Sequence, residues 1–257
     1  MALLYGDNFQ SYAVGATPPY GALVTYSGVL GSSIQADSAG LFGQTQSASF
    51  PSSEKLAFPN PVYDGSGPFY QQSTIYEYIK LNNYYDEQGE IISFNNAHIP
   101  GTFVDNLLGI RIMSDGTIAI VPHNVSAFSA AASVSDYSLL TKKWYLLRID
   151  VTFGMNLTYL EILNCTVYIN GVVITQINNI VTSLLVSSFI HPYWNTIFFS
   201  GAGSGIMCGG LWIYDTVQSS TFYPNPGVPI ARLNQGVIEL VKKKAASLGS
   251  NTRIYEA

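Results

Sequence analysis

The chain has 257 residues, a length that fits one large domain or two small ones. Hydrophobic residues make up 47% of it and aromatic residues 13%, but charged residues only 11%, well below the usual quarter. The net charge of −5 excludes a general attraction to nucleic acid, and no apolar run reaches the roughly 18 residues of a membrane span. This composition is typical of a β protein whose surface contacts other proteins or sugars.

The N-terminal part of the chain predicts short strands joined by long loops. The first residues lack the basic and apolar segments of a signal peptide, so we expect a protein made in a cytoplasm. Residues 10–70 are rich in Gly, Ser, Pro and Tyr, residue types that favour turns and loops.

Longer strands are predicted further along the chain, where apolar, β-branched and aromatic residues recur at alternate positions. These segments are Ser73 to Leu81 and Trp144 to Phe153. Two further strands, Ile197 to Ser200 and Ile206 to Tyr214, are predicted because they are short, aromatic and apolar. Many short strands with frequent turns indicate a sandwich or a barrel. No fixed period repeats, which argues against a solenoid or a propeller.

Two hairpins are predicted from turn signals. Asp115-Gly116 lies between the apolar runs of residues 108–121, and Asn170-Gly171 lies between those of residues 165–174. Such pairs favour a tight turn in which both central residues have positive φ. Gly201-Ala202-Gly203-Ser204-Gly205 lacks the helix and lysine of a phosphate-binding loop, and we interpret it as a further hairpin loop.

Both cysteines, Cys165 and Cys208, lie in apolar runs, which predicts two buried free thiols rather than a disulfide. Neither lies in the electropositive, polar surrounding that activates a thiol.

The sequence shows no catalytic pattern. Retaining glycoside hydrolysis needs two carboxylates about 5 Å apart, and no Glu-x-Asp pattern occurs. Acidic residues do cluster at Asp86, Glu87 and Glu90, which we interpret as a solvated turn. The histidines lack metal-ligand spacing; they are His98, His123 and His191. We therefore expect a protein that is not an enzyme and has no cofactor.

Asp7 and Asp215 are candidate ligands of a metal site. They lie near the first and last predicted strands, which often lie side by side in a sandwich, and two facing carboxylates there could hold a structural Ca²⁺. The favoured interpretation is that each caps a turn or pairs with a lysine.

A break in the pattern is predicted after residue 218. Pro224, Pro226 and Pro229 disfavour both helix and sheet, which indicates a stiff, extended exit. We expect a sandwich at residues 1–218 and a Pro-rich exit with a C-terminal docking arm at residues 219–257. The arm carries five Lys/Arg against two Asp/Glu, whereas residues 1–218 carry six against fourteen.

The arm fits a helix or a strand. Its apolar residues fall on one helical face, but Gly236 interrupts it and residues 235–241 could equally be extended. The segment is too short to have its own core, so its apolar face needs the sandwich or a neighbouring chain as partner. The predicted partner-docking residues are Arg232, Leu233, Val237, Ile238, Leu240 and Val241.

Three segments together resemble bacterial and phage concanavalin A-like (laminin-G-like) domains. The segment Gly6 to Gly15 resembles their opening, and Gly210-Leu211-Trp212-Ile213-Tyr214-Asp215 resembles their closing strand. Trp144 to Ile149, followed by Val167 to Val172, resembles their tryptophan strand and "V-x-x-N-G" hairpin. The resemblance implies an all-β, concanavalin A-like jelly-roll sandwich with a C-terminal extended or helical arm.

The tail carries a further resemblance. Ala231 to Leu240 is similar to an "A-R-V-x-Q-x-x-x-E-V" tail of phage virion proteins, with Leu233 in place of the valine. The leading hypothesis is therefore a structural protein of a bacteriophage virion, a head decoration (cement) protein or a tail protein. Its partners would be other virion subunits, and it would form a homo-oligomer such as a trimer.

Two other functions remain as hypotheses. The alternative is a carbohydrate-binding module for host surface glycans, with Tyr, Trp and Asn or Asp side chains on the concave sheet. A glycoside hydrolase ranks last, because paired carboxylates are missing. Fold alone does not decide between these functions.

Overall fold

A computed structural model describes residues 2–27, 31–37, 45–51, 54–58, 70–83, 89–99, 103–122, 133–155, 160–185, 193–201 and 205–219. Within these ranges the chain forms fifteen β-strands and no helix. In chain order the strands are β1 (Leu3–Asp7), β2 (Val24–Ser27), β3 (Ser33–Gln35), β4 (Ser47–Phe50), β5 (Lys55–Phe58), β6 (Gln72–Leu81), β7 (Gly89–Ile99), β8 (Phe103–Ile112), β9 (Thr117–Pro122), β10 (Ser133–Ser138), β11 (Trp144–Met155), β12 (Leu160–Ile169), β13 (Val172–Leu185), β14 (Thr196–Ser200) and β15 (Ile206–Tyr214).

Eight strands form one antiparallel sheet, in the order β13-β12-β11-β6-β15-β4-β3, with β1 also paired to β15. Along one edge, β15 pairs with β6. Along its other edge, residues 206–208 pair with β4 and residues 211–214 pair with β1. The first and last strands of the sandwich are therefore neighbours, as the sequence predicts.

The second sheet has seven antiparallel strands, in the order β10-β9-β8-β7-β14-β5-β2. Its short strands β2 and β5 come from the loop-rich N-terminal part of the chain, and its long central strands come from residues 89–122. The two sheets enclose one apolar core, so the predicted all-β sandwich is confirmed. The expected C-terminal arm, including its helix-or-strand alternative, lies outside the described residues.

The core between the sheets is made from alternate residues of each strand. In β6, Ile75, Ile79 and Leu81 are no more than 1% exposed and point into it. Trp194 is fully buried and stacks on Tyr70, with ring centroids 4.5 Å apart. Burying each large apolar side chain contributes about 1.5–3 kcal/mol, and this term drives the two sheets together.

The two predicted hairpins form, but their turns differ. Asn170 and Gly171 have φ of 50° and 82°, so both central residues of the β12–β13 turn have positive φ, as predicted. In the β8–β9 turn, among the described residues only Gly116 has positive φ, at 80°. Asp115 instead accepts hydrogen bonds from the backbone N and the Oγ1 of Thr117, which stabilises a different turn.

The hairpin predicted at residues 201–205 is wrong. The flanking strands lie in different sheets, because β14 belongs to the seven-stranded sheet and β15 to the eight-stranded one. The segment is thus a crossover between sheets. Its ends are close, since the backbone N of Gly205 donates to the carbonyl oxygen of Gly201 at 2.9 Å.

Within the described residues, no helix has the length and hydropathy needed to cross a membrane.

Candidate functional site

The side of the eight-stranded sheet that faces away from the core carries a second cluster of large side chains. In β6, β11 and β15 several of the residues that alternate with the core positions are aromatic or apolar and pack together. We call this surface the outer aromatic face; its members are Tyr76, Tyr78, Trp144, Leu146, Tyr168, Trp212 and Tyr214. Tyr76, Tyr78, Leu146 and Tyr214 are buried, whereas Trp144, Tyr168 and Trp212 are partly exposed.

Strand register arranges this face in rows. One row crosses five neighbouring strands and contains, in order, Tyr168, Arg148, Tyr76, Trp212 and Gly6. Because neighbouring strands lie about 4.8 Å apart, Tyr168 and Trp212 are separated by about 14 Å along this row. The row is long enough to contact an extended segment laid across the strands.

Trp212 lies across two glycines. A Cβ added to Gly210 would lie 2.4 Å from Cη2 of the indole, and one added to Gly6 would lie 2.8 Å from its Cδ1. Neither position tolerates a side chain without moving the ring. The indole also forms a T-shaped contact with the ring of Tyr78, at a centroid distance of 5.6 Å. The missing side chains thus let a large ring lie low on the sheet.

Arg148 and Asp150 form a buried ion pair in the middle of this face. Nε of Arg148 donates to Oδ1 of Asp150 at 3.0 Å, and Nη2 donates to Oδ2 at 2.8 Å. Asp150 Oδ1 also accepts the Thr74 hydroxyl at 2.7 Å. Burial by itself lowers the pKa of Arg148, but the hydrogen bonds and charge of Asp150 outweigh it and raise the pKa, so the guanidinium stays charged.

The same guanidinium holds the chain as it leaves the sandwich. Nη1 of Arg148 donates to the carbonyl oxygen of Ser219 at 2.8 Å, and Nη2 donates to that of Gln218. The backbone N of Gln218 donates to Oγ1 of Thr74 at 3.0 Å. The guanidinium carbon lies 5.4 Å from the ring centre of Tyr76 and 4.9 Å from that of Tyr168. Residues 218–219 are therefore bound on the outer aromatic face at the start of the predicted exit.

Glu77 is the one acidic residue of β6, and it points into the core. Its side chain is buried beside the Cys208 thiol, with which it hydrogen-bonds. Within the described part of the chain, its Oε2 has no hydrogen-bond partner. Burial raises the pKa of Glu77 to about 8, and the Cys208 hydrogen bond opposes this only in part. Glu77 is therefore largely a neutral carboxylic acid at neutral pH.

The two cysteines are free and buried, as predicted. Burial raises the pKa of both thiols, so neither is a thiolate nucleophile.

The antiparallel register separates the two aspartates that were weighed as a calcium site. Asp7 lies opposite Leu211, whereas Asp215 lies at the other end of β1, where its Oδ1 accepts the backbone N of Ala2 at 2.7 Å. Four residues of strand put their Cα atoms about 13 Å apart, and each carboxylate is bound to different groups, so the two do not form one Ca²⁺ site. Asp7 instead accepts hydrogen bonds from Phe9 N and Tyr12 Oη, in agreement with its predicted role as a turn cap.

Other residues considered from the sequence fall partly outside the described ranges. This holds for His123, His191, Asp86 and Glu87, and for the side chain of His98. It also holds for all six predicted docking residues: Arg232, Leu233, Val237, Ile238, Leu240 and Val241. Glu90 lies in β7, with its Oε1 4.0 Å from Nε of Arg111. Among the described side chains, no group of three or more His, Cys, Asp or Glu is placed to hold a metal ion.

Sequence reasoning identified the alternation in β6 and β11 but not the roles of Arg148, Glu77 or Trp212. The spacing of Arg148 and Asp150, two residues apart on a strand, does signal a shared face. No local signal places Gly6 under Trp212, because the two residues are distant in sequence and meet only through the pairing of β1 with β15.

No protein-family model matches this chain, and no curated protein is significantly similar to it in sequence. Solved structures with a similar backbone include a carbohydrate esterase from the Shiga toxin-encoding bacteriophage phi24B, at TM-score 0.46 and 14% identity, covering 82% of this chain and 97% of that one. A botulinum neurotoxin type C structure aligns at TM-score 0.45 and 15% identity, over 83% of this chain. A Trypanosoma rangeli sialidase aligns at TM-score 0.45 and 11% identity, over 90% of this chain.

The chain spans only 49% of the neurotoxin chain and 37% of the sialidase chain. Identities of 11–15% and TM-scores below 0.5 describe a shared β-rich architecture and carry no argument about activity.

Proposed function

We propose that this protein is a non-enzymatic structural protein of a bacteriophage virion, on the head as a decoration protein or on the tail. In this proposal the sandwich at residues 1–218 is a rigid body, and the arm at residues 219–257 binds a neighbouring virion subunit. The subunit that the arm binds is another copy of this chain in a closed ring such as a trimer. The virion setting rests on the tail and strand motifs described from the sequence.

The observation that carries the proposal is the pair of hydrogen bonds that Arg148 donates to the carbonyl oxygens of Gln218 and Ser219. An arm that starts at a fixed point and in a fixed direction loses less conformational entropy when it binds a neighbour than a free tail would. The apolar residues beyond it, from Leu233 to Val241, provide a surface for strand addition or groove packing.

The described carboxylates support a structural rather than a catalytic role. Asp150 is bound to Arg148, Asp7 caps a turn, and Glu77 is sealed in the core. Glu54 accepts hydrogen bonds from the backbone N of Ser32 at 2.6 Å and from Oγ1 of Thr25 at 3.0 Å. Asp150, Asp7 and Glu54 are thus engaged in hydrogen bonds that hold the fold, and Glu77 is out of reach of a substrate.

The test is the assembly state of the purified chain, measured by size-exclusion chromatography with light scattering. Deleting residues 224–257 is expected to leave a folded monomer, whereas the full chain assembles. Point variants sharpen the test: Leu233→Asp with Val237→Glu is expected to abolish assembly. The matched control, Asn234→Asp with Gln235→Glu, adds the same charge at polar positions and is expected to assemble. A monomeric full chain, or an oligomer that survives the deletion, would overturn the proposal.

A second candidate function is glycan binding, favoured by the partly exposed ring of Trp212 lying low over Gly6 and Gly210. Flat aromatic surfaces of this kind provide large, rigid contact area for a sugar ring. Screening the full chain on a glycan array tests it. Selective binding that is lost in Trp212→Ala but kept in Tyr26→Ala, a substitution on the other sheet, would favour this function over the first.

A further inference from the structure

We propose that the proline segment of this chain, residues 223–229, binds in cis to the outer aromatic face, across the row from Tyr168 to Trp212. This goes beyond the proposed function and does not require it, because the contact forms within one chain whether or not that chain assembles. It would also fix the place at which residues 230–257 leave the sandwich.

The first support is where the described chain ends. Ser219 is held above the centre of the row by Arg148, whose guanidinium lies between the rings of Tyr76 and Tyr168. Pro224 follows five residues later, and five extended residues reach at most about 17 Å. Every ring of the row is therefore within reach of the proline segment.

The second support is the chemistry of the segment. Its sequence is Tyr223-Pro-Asn-Pro-Gly-Val-Pro229, which contains a P-x-x-P pattern at residues 226–229. Prolines fix φ and pre-form an extended polyproline helix, and aromatic-lined surfaces bind such segments at a low cost in conformational entropy. The residues that line this face are the matching type of surface.

The third support is length. In a polyproline helix, the five steps from Pro224 to Pro229 span about 15 Å. Three strand spacings from Tyr168 on β12 to Trp212 on β15 span about 14 Å. Both rings are partly exposed, and Trp212 is held low by the absence of side chains at Gly6 and Gly210. The segment and the row therefore match in length as well as in chemistry.

The test is hydrogen exchange of the full chain, followed by mass spectrometry of peptides that cover residues 219–231. We expect slowed exchange at the amides of Asn225, Gly227 and Val228. Trp212→Ala and Tyr168→Ala should each accelerate this exchange by roughly fivefold to tenfold, the size expected for a lost aromatic contact. Tyr26→Ala, which removes a ring from the other sheet, should leave it unchanged.

A second variant avoids any change to the sandwich. Replacing Pro224, Pro226 and Pro229 together by Ala should raise the acrylamide quenching of tryptophan fluorescence, because Trp212 loses its cover, while Asn225→Ala should not. Quenching that is unchanged by the triple substitution, or wild-type amides that exchange at unprotected rates, would overturn the inference.

Dilution and competition experiments distinguish the proline segment of the same chain from two other occupants of the face, a second copy of the chain and a glycan. Protection that is constant on dilution supports binding in cis, whereas protection lost on dilution shows that a second copy supplies the segment and overturns the inference. If a glycan binds this face, its affinity for the wild type should be lower than its affinity for the triple proline variant. Equal affinities also overturn the inference, since the segment would then not occupy the face. The assembly test depends on Leu233 and Val237, so the two proposals can fail separately.

Discussion

Arg148 and Asp150 lie two residues apart on β11 and are joined by two parallel contacts, Nε to Oδ1 at 3.0 Å and Nη2 to Oδ2 at 2.8 Å. Their side chains are only 6% and 9% exposed. A buried pair of this kind adds little stability when compared with an apolar pair, but it fixes geometry. Here it orients the guanidinium so that its remaining donors meet the carbonyl oxygens of residues 218 and 219.

Arg148→Met is expected to destabilise the fold by about 3–5 kcal/mol, because it leaves the Asp150 carboxylate buried without its cation. The double variant Arg148→Met/Asp150→Leu removes both charges and should recover most of that loss. Urea unfolding of the three proteins at neutral pH measures the effect. If the single variant is as stable as the wild type, the pair is solvated and does not hold the chain exit.

Glu77 predicts an unusual pH dependence. Its folded-state pKa of about 8 lies above the ordinary value of 4.5, so the folded protein binds the proton more tightly than the unfolded chain does. Stability is therefore highest below about pH 4.5 as far as this group is concerned, and it falls as pH rises towards 8, by up to about 1.4 kcal/mol per pH unit.

Glu77→Gln keeps the shape of the side chain and removes the titration. The wild type should lose more stability than this variant between pH 5 and about pH 8, as followed by urea midpoints. Equal slopes for the two proteins would show that Glu77 is solvated when folded. Glu77→Leu should stabilise the fold at pH 8, because it replaces a buried polar group that lacks a partner at Oε2.

Gly210→Ala is expected to displace the Trp212 ring, because the new Cβ would lie 2.4 Å from Cη2 and 2.7 Å from Cζ3. Overpacking of this type costs about 1–3 kcal/mol. The test is a double-mutant cycle with Trp212→Leu, whose smaller side chain leaves room for the methyl group. The cost of Gly210→Ala should shrink in the Trp212→Leu background, and a cost that is the same in both backgrounds would contradict the packing described.

Glu54 ties β2 to the residues that precede β3, and so connects the two sheets. Burial raises its pKa, but hydrogen bonds from Ser32, Gly31 and Thr25 outweigh this, and the net pKa is lowered. The stability that ionised Glu54 supplies is present above its unfolded pKa and is lost as pH falls through the lowered folded value.

Glu54→Gln places an NH₂ group, or a weaker acceptor, where Oε2 accepts two backbone N–H groups, so a loss of about 1–3 kcal/mol is expected at pH 7. The difference from the wild type should narrow as pH falls below the ordinary glutamate pKa and through the lowered folded value, because the wild-type carboxyl is protonated there. Thermal unfolding at several pH values checks this, and a difference that does not depend on pH would rule out the assigned role.

Strands and hairpins could be predicted because their signals are local. The Asn170-Gly171 pair and the alternation in β6 and β11 appear in the printed sequence, and the structure confirms each of them. The crossover at residues 201–205 was misassigned as a hairpin because a glycine-rich loop looks the same whether its flanking strands pair with each other or enter different sheets.

The candidate site was harder to predict because alternation shows that the two faces of a strand differ, but it does not show whether one or both of them are buried. In β6 the set Ile75, Glu77 and Ile79 and the set Tyr76 and Tyr78 are both buried, one in the core and one on the outer face. An acidic residue would normally mark the solvent side, so Glu77 gives a misleading signal at the sequence level.

The sequence by itself determined that this is a β protein, a sandwich or a barrel, with free buried cysteines and a change of composition near residue 218, since these follow from periodicity, turn chemistry and composition. Only the tertiary structure decided which distant residues meet: Gly6 with Trp212, Arg148 with Ser219, and Asp7 far from Asp215. The physical reason is that strand pairing between distant segments depends on how all fifteen strands together bury their apolar sides, and no short stretch of chain carries that information.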